Sequence, residues 1–199
     1  MVKDNKASKY LCLAFLVCGF IYGIILPFCW GNNPFDPLGT LSILCEHRKI
    51  FFWLWILLSG GGLFLNINYL YQKYGNAGKF IKSLPVIAMI FGICIALTLD
   101  HSIADWNPKR VVHWIATGGY VAFLAFSVAF YALANIKKGK IFRFMFISVL
   151  IIFLIFLVWF LVLGKSGMLE LIPYALLQIF LFAMNFFVKS DEKAEVISH

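Results

Sequence analysis

Six stretches of this chain contain no Asp, Glu, Lys, Arg or His: Tyr10 to Trp30, Ile50 to Tyr71, Ser83 to Leu99, Trp114 to Ala134, Phe144 to Leu163 and Leu171 to Val188. Each reaches or approaches the roughly 20 apolar residues that an α-helix needs to cross the hydrocarbon of a bilayer. A charge at the bilayer centre costs at least about 2.5 kcal/mol, so the confinement of these residue types to the connections argues for all six spans together. With 62% hydrophobic and 13% charged residues, the chain is far from the composition of soluble domains. Six spans use most of the 199 residues and leave no room for a separate soluble domain. The expected fold is therefore an all-α polytopic membrane protein, a six-transmembrane-helix bundle, forming one domain over residues 1–199. The first stretch is longer than the apolar core of a signal peptide and has no small-x-small cleavage site before Trp30, so it reads as a retained helix.

Charge sets the expected orientation. Twelve Lys and Arg residues fall at the two termini and in the second and fourth connections, and five fall on the other side. The positive-inside rule then places both termini in the cytoplasm. The acids Asp4, Asp191, Glu192 and Glu195 leave that side strongly basic, whereas Asp36, Glu46, Asp100, Asp105 and Glu170 neutralise the outer face. A basic cytoplasmic rim suits anionic lipid headgroups. Its residues are divided among short segments and form no continuous stripe, which excludes nucleic acid as the expected partner. Membrane lipids are the expected partners, with a membrane-protein partner or a homo-oligomer as a further possibility, and the plasma membrane is the expected location. The polar stretch 189–199 reads as a mobile cytoplasmic tail.

The polar residues of interest gather at the outer ends. The first outer connection, Gly31 to Lys49, is the longest and carries Asp36. Glu46 and His47 precede the second helix, Asp100 and His101 end the third, Arg110 and His113 open the fourth, and Glu170 opens the sixth. In a compact bundle these ends share one headgroup layer and can line a common pocket. His101 and His113 with Asp100 or Glu46 are the residues that would hold a zinc ion or act as a general acid and base. Their spacing matches no ligand motif, so neither a metal nor a cofactor is expected. The competing reading is interfacial anchoring, in which these groups snorkel, cap helices and pair at the rim. Haem ligation calls for histidines within helices, and the outer histidines are placed at span ends.

Inside the spans, the second carries Ser59-Gly60-Gly61-Gly62 followed by Asn66 and Asn68, and the sixth carries Gln178 and Asn185. Small residues permit close helix approach and amides bond across helices. A glycine-induced break in the second span would instead suit a small-molecule transporter. The fifth span, uniformly apolar apart from Ser148, is expected at the lipid-facing periphery. Cys29 and Cys45 flank the first outer connection and would meet an oxidising compartment there.

The order of a Pro- and Asp-containing first outer loop with Leu38-Gly39-Thr40, Glu46 before the second span, His113 at the fourth and Glu170 before the sixth resembles a six-span membrane superfamily. It contains the DRAM-type autophagy modulators, GPI-anchor remodelling proteins and uncharacterised archaeal and bacterial relatives. The resemblance runs through short motifs over nearly the whole chain, without a Pro-Pro-Glu run before the second span. It implies that Asp36, Glu46, His113 and Glu170 face the non-cytoplasmic side and are the positions to test. The functional expectation is binding or remodelling of lipid or glycolipid headgroups in an outer polar pocket. A transporter and a non-enzymatic assembly partner are the alternatives.

Overall fold

The computed structural model describes residues 6–33, 41–45, 47–75, 77–99, 108–163 and 167–188, with the side chains of Lys6, Phe160, Leu163 and 167–170 excepted. They form α1 (Lys6–Cys29), a single turn α2 (Leu41–Leu44), α3 (Lys49–Tyr74), α4 (Lys79–Leu97), α5 (Pro108–Ala134), a 3-10 turn at Ile136–Lys138, α6 (Lys140–Leu163) and α7 (Gly167–Phe186). No strand occurs among the described residues. The protein is all-α, and α1, α3, α4, α5 and α6 are each long and apolar enough to cross a membrane. In α7 the apolar segment with described side chains, Leu171–Phe186, is shorter.

Helix starts differ from the charge-free stretches in an informative way. The fourth stretch begins at Trp114, but α5 begins at Pro108. Proline suits the first helical position, where its fixed φ fits and its missing N–H would have no intrahelical partner. Lys109, Arg110 and His113 consequently lie on the helix and not in the connection before it. Similarly α4 starts at Lys79 and α6 at Lys140, because long basic side chains extend from a helical backbone toward the polar layer.

α3, α4, α5, α6 and α7 pack in a ring closed by the α3/α7 contact, and α1 lies across the α3/α7 seam. Among the long helices α3 is the most enclosed and α6 the least. On α6, Leu150, Ile151, Leu154, Leu157, Val158, Leu161 and Val162 are all exposed, consistent with the peripheral position expected for the fifth span. α4 and α5 approach closely through glycine. Gly119 lies beneath the Phe91 ring, so close that a methyl group there would sit 2.7 Å from it, and Phe91 stacks on Phe123 with centroids 5.4 Å apart.

α3 and α7 run in the same sense. Trp55 meets Tyr174 toward one end, at 6.4 Å between ring centroids, and Tyr69 meets Phe186 toward the other, at 4.9 Å. The first of these ends also holds His113, and the second holds Lys73.

At the Lys73 end the helices are fastened by side chains that bond to main-chain carbonyls. The Lys73 ammonium donates to the carbonyls of Met184 at 2.9 Å, Asn185 at 2.7 Å and Val188, supplying positive charge and donors where the last helical carbonyls lack partners. The Tyr74 hydroxyl donates to Met184 as well, at 3.1 Å. Tyr131 donates to the carbonyl of Gly75 at 2.7 Å, and Tyr71 donates to that of Ser127 at 2.8 Å. Pro85 within α4 cannot bond the carbonyl of Ile81, and the Tyr71 hydroxyl lies 3.5 Å from that oxygen. Gly75 has φ +69°, in the region that favours glycine.

Candidate functional site: the His113 end and the interior polar seam

Near the start of α5, Arg110 and His113 are held in different surroundings. The half-buried Arg110 places its guanidinium over the ring of Trp114, one turn on, at 4.9 Å. His113 is only 4% exposed. Its Nδ1 lies 3.5 Å from the Thr98 hydroxyl at the end of α4, and that hydroxyl donates to the carbonyl of Cys94 at 2.7 Å. Thr117 reinforces the same turn by donating to the carbonyl of His113 at 2.8 Å.

The end of the first connection is folded against α1. Leu41 and Cys45, on and just after α2, are fully buried. Arg48 stacks over Trp30 at 4.8 Å, Trp30 meets Phe51 edge-on at 5.3 Å, and the Tyr22 hydroxyl donates to the carbonyl of Phe51 at 2.9 Å. His47 is exposed. Cys29 is exposed and Cys45 buried, and all five cysteines are free.

Of the residues expected to share an outer pocket, the structure places Arg110 and His113 one turn apart on α5, with Thr98 beside His113 as a contributor the sequence reading passed over. Asp36, Glu46, Asp100 and His101 lie outside the described residues, and Glu170 is described by its backbone alone, within α7. Among the described residues no three side chains of His, Cys, Asp or Glu come together as a metal site. His113 lies on the second turn of α5, near the start of that helix.

A second polar feature runs down the α3/α7 seam. The amide nitrogen of Asn66 donates to the carbonyl of Gly62 at 3.0 Å and reaches the Gln178 amide oxygen at 3.4 Å. Asn185 donates to the main-chain carbonyl of Asn66 at 2.8 Å and approaches its amide oxygen at 3.2 Å. Thus Asn66, Gln178 and Asn185 form one interhelical group. Asn68 does not join it, since its amide bonds to Phe64 on its own helix at 2.8 Å.

The seam also holds buried polar atoms without hydrogen-bond partners: Trp55 Nε1, Ser59 Oγ, Tyr120 Oη, Tyr174 Oη, Gln178 Nε2 and Asn185 Oδ1. The Tyr120 and Ser59 hydroxyls face one another, and neither makes a hydrogen bond of normal geometry. A buried polar group left unpaired costs about 1–3 kcal/mol, and hydrocarbon surroundings raise that cost. Trp55, Ser59 and Tyr174 were not singled out as a group by their sequence, and Tyr120 comes from a third helix. A signal was present: Trp55, Ser59, Gly62 and Asn66 share one helical face, as do Tyr174, Gln178, Leu181 and Asn185.

No family model matches the chain, and comparisons with curated proteins and with solved structures return no match either.

Proposed function

We propose that this protein crosses the membrane six times with both termini in the cytoplasm, and that its outer helix ends bind the headgroup of a membrane lipid or glycolipid. Six crossings are supported by α7, whose 20 residues correspond to a length of about 30 Å, matching the hydrocarbon thickness. The resemblance to the DRAM-type and GPI-remodelling superfamily belongs to this proposal and agrees with the same outer positions.

The observation that carries the reading is His113. Buried histidine is costly to retain in a lipid-facing bundle unless it is hydrogen-bonded or used, and this one lies beside Thr98, two residues ahead of Asp100 in the chain. Arg110, one turn back and fixed over Trp114, is a cation suited to the phosphate of a headgroup. The geometry supports recognition, and a hydrolytic or transfer step forms no part of the proposal.

Native mass spectrometry of protein extracted with its surrounding lipids tests this reading. The expected result is retention of one headgroup class by the wild type and its loss in His113→Ala and Arg110→Ala, with helical circular dichroism unchanged. Lipid adducts of random class, or a specific class retained equally by both variants, would overturn it.

A further inference from the structure

Four glycines on α1 and α3 each lie against the tip of a polar side chain, whereas Gly61 meets the ring of Phe15. A methyl group at Gly19 would lie 2.6 Å from the Tyr174 hydroxyl, and one at Gly23 would lie 3.2 Å from Trp55 Nε1 while also colliding with Leu171. On α3, a methyl at Gly60 would lie 2.9 Å from the Tyr120 hydroxyl, and one at Gly62 would collide with Gln178 Nε2. All four of these polar atoms are without partners, and their side chains are at most 8% exposed. Glycine in a membrane helix ordinarily admits a neighbouring backbone. Here it also admits polar tips, whose hydrogen-bonding capacity is left unused.

We propose that the meeting of α1, α3, α5 and α7 is an intramembrane binding site for a small uncharged oxygen-bearing molecule, water or a short polyol. The charge of the ligand follows from the sequence. No Asp, Glu, Lys, Arg or His occurs on α1 after Lys9, on α3 between Lys49 and Lys73, on α5 after His113, or on α7 from Leu171 onward, so a charged ligand would have no counter-ion. Its polarity follows from the inventory of free groups. The Trp55 and Gln178 nitrogens only donate, and the hydroxyls of Ser59, Tyr120 and Tyr174 donate readily. Oxygen acceptors satisfy that set. Its size follows from the closeness of the tips to the helix backbones, which suits molecules of one to a few heavy atoms that can make several hydrogen bonds each. This site is distinct from the His113 end and does not rest on the headgroup reading.

Radiolytic hydroxyl-radical footprinting of the full chain in lipid nanodiscs and polyol-free buffer reads this directly, because bound water generates the label in place. The internal standards are Tyr71 and Tyr131, which are 5% and 0% exposed against 8% for Tyr120 and Tyr174 and are bonded to the carbonyls of Ser127 and Gly75. Tyr120 and Tyr174 are expected to label several-fold faster than these two. Added glycerol that suppresses labelling at Tyr120 and Tyr174 alone identifies a polyol site, and labelling unaffected by glycerol identifies a water site. Gln178→Met keeps the side-chain volume and removes the donor, so it is expected to reduce labelling at Tyr174. Tyr120 and Tyr174 labelling no faster than Tyr71 and Tyr131 in the wild type would overturn the proposal, whatever the variants do.

Discussion

The ammonium of Lys73 on α3 donates to the main-chain carbonyl of Asn185 on α7 at 2.7 Å. One side chain thereby closes the last turn of one helix with the end of another. Charge-assisted hydrogen bonds contribute about 1.5–3 kcal/mol when sheltered, and Lys73 is half-buried, which places its contribution at the lower end. Lys73→Met is expected to destabilise the folded protein by about 2 kcal/mol, measured as a shift in the denaturation midpoint in mixed micelles. Lys79→Met, at an exposed position, is the control and is expected to change little.

The two asparagines of α3 should separate cleanly. Asn66 bonds across to α7, whereas Asn68 bonds only within its own helix. Interhelical side-chain hydrogen bonds in membranes average about 0.6 kcal/mol and reach about 1.7. Asn66→Ala is expected to cost more than that average, since it removes the bond from Asn185 to the Asn66 amide oxygen and leaves the Gln178 amide oxygen without its donor, and Asn68→Ala is expected to be near neutral. Equal losses in the same micellar unfolding assay would contradict this arrangement.

Gly75 and Gly78 bracket the turn between α3 and α4. At Gly75 φ is +69° and ψ is −177°, a region nearly exclusive to glycine. At Gly78 φ is −62° and a methyl group would meet nothing within 4 Å. Gly75→Ala is expected to lower stability by about 1–3 kcal/mol, and Gly78→Ala to leave it unchanged or slightly raised. Thermal unfolding of the two variants side by side checks the difference.

Cysteine accessibility tests the proposed orientation. Cys29 is exposed at the end of α1, and Cys45 is fully buried. A membrane-impermeant maleimide applied to intact cells is expected to label Cys29 in a variant lacking the other four cysteines, and to leave Cys45 unlabelled in the corresponding variant until the protein is denatured. Labelling of Cys29 only after the membrane is permeabilised would reverse the topology.

The long helices were legible because hydrocarbon tolerates so little charge that each span stands out as an unbroken run. The same rule obscured the start of α5. The charge-free run starts only at Trp114, but the ring of Trp114 receives Arg110 and Thr98 at the end of α4 lies beside His113, so the helix begins earlier, at Pro108. The seam was partly legible: the repeat of polar or small residues along one face of α3 recurs along α7. That Tyr120 completes it was not, because a sequence contains no record of the order in which helices surround one another. α2 escaped notice for a simpler reason, since one turn is too short to show a period.

The bond between Asn66 and Asn185 joins positions 119 residues apart, and this has a consequence for biosynthesis. As α3 leaves the translocon, its buried face has α1 and then α4 and α5 to meet, but the partner of Asn66 has not yet been translated. The most enclosed of the long helices must wait in the bilayer with the Asn66 amide bonded only to Gly62 on its own helix until α7 is released. A nascent chain arrested before α7 is accordingly the form most exposed to membrane quality control.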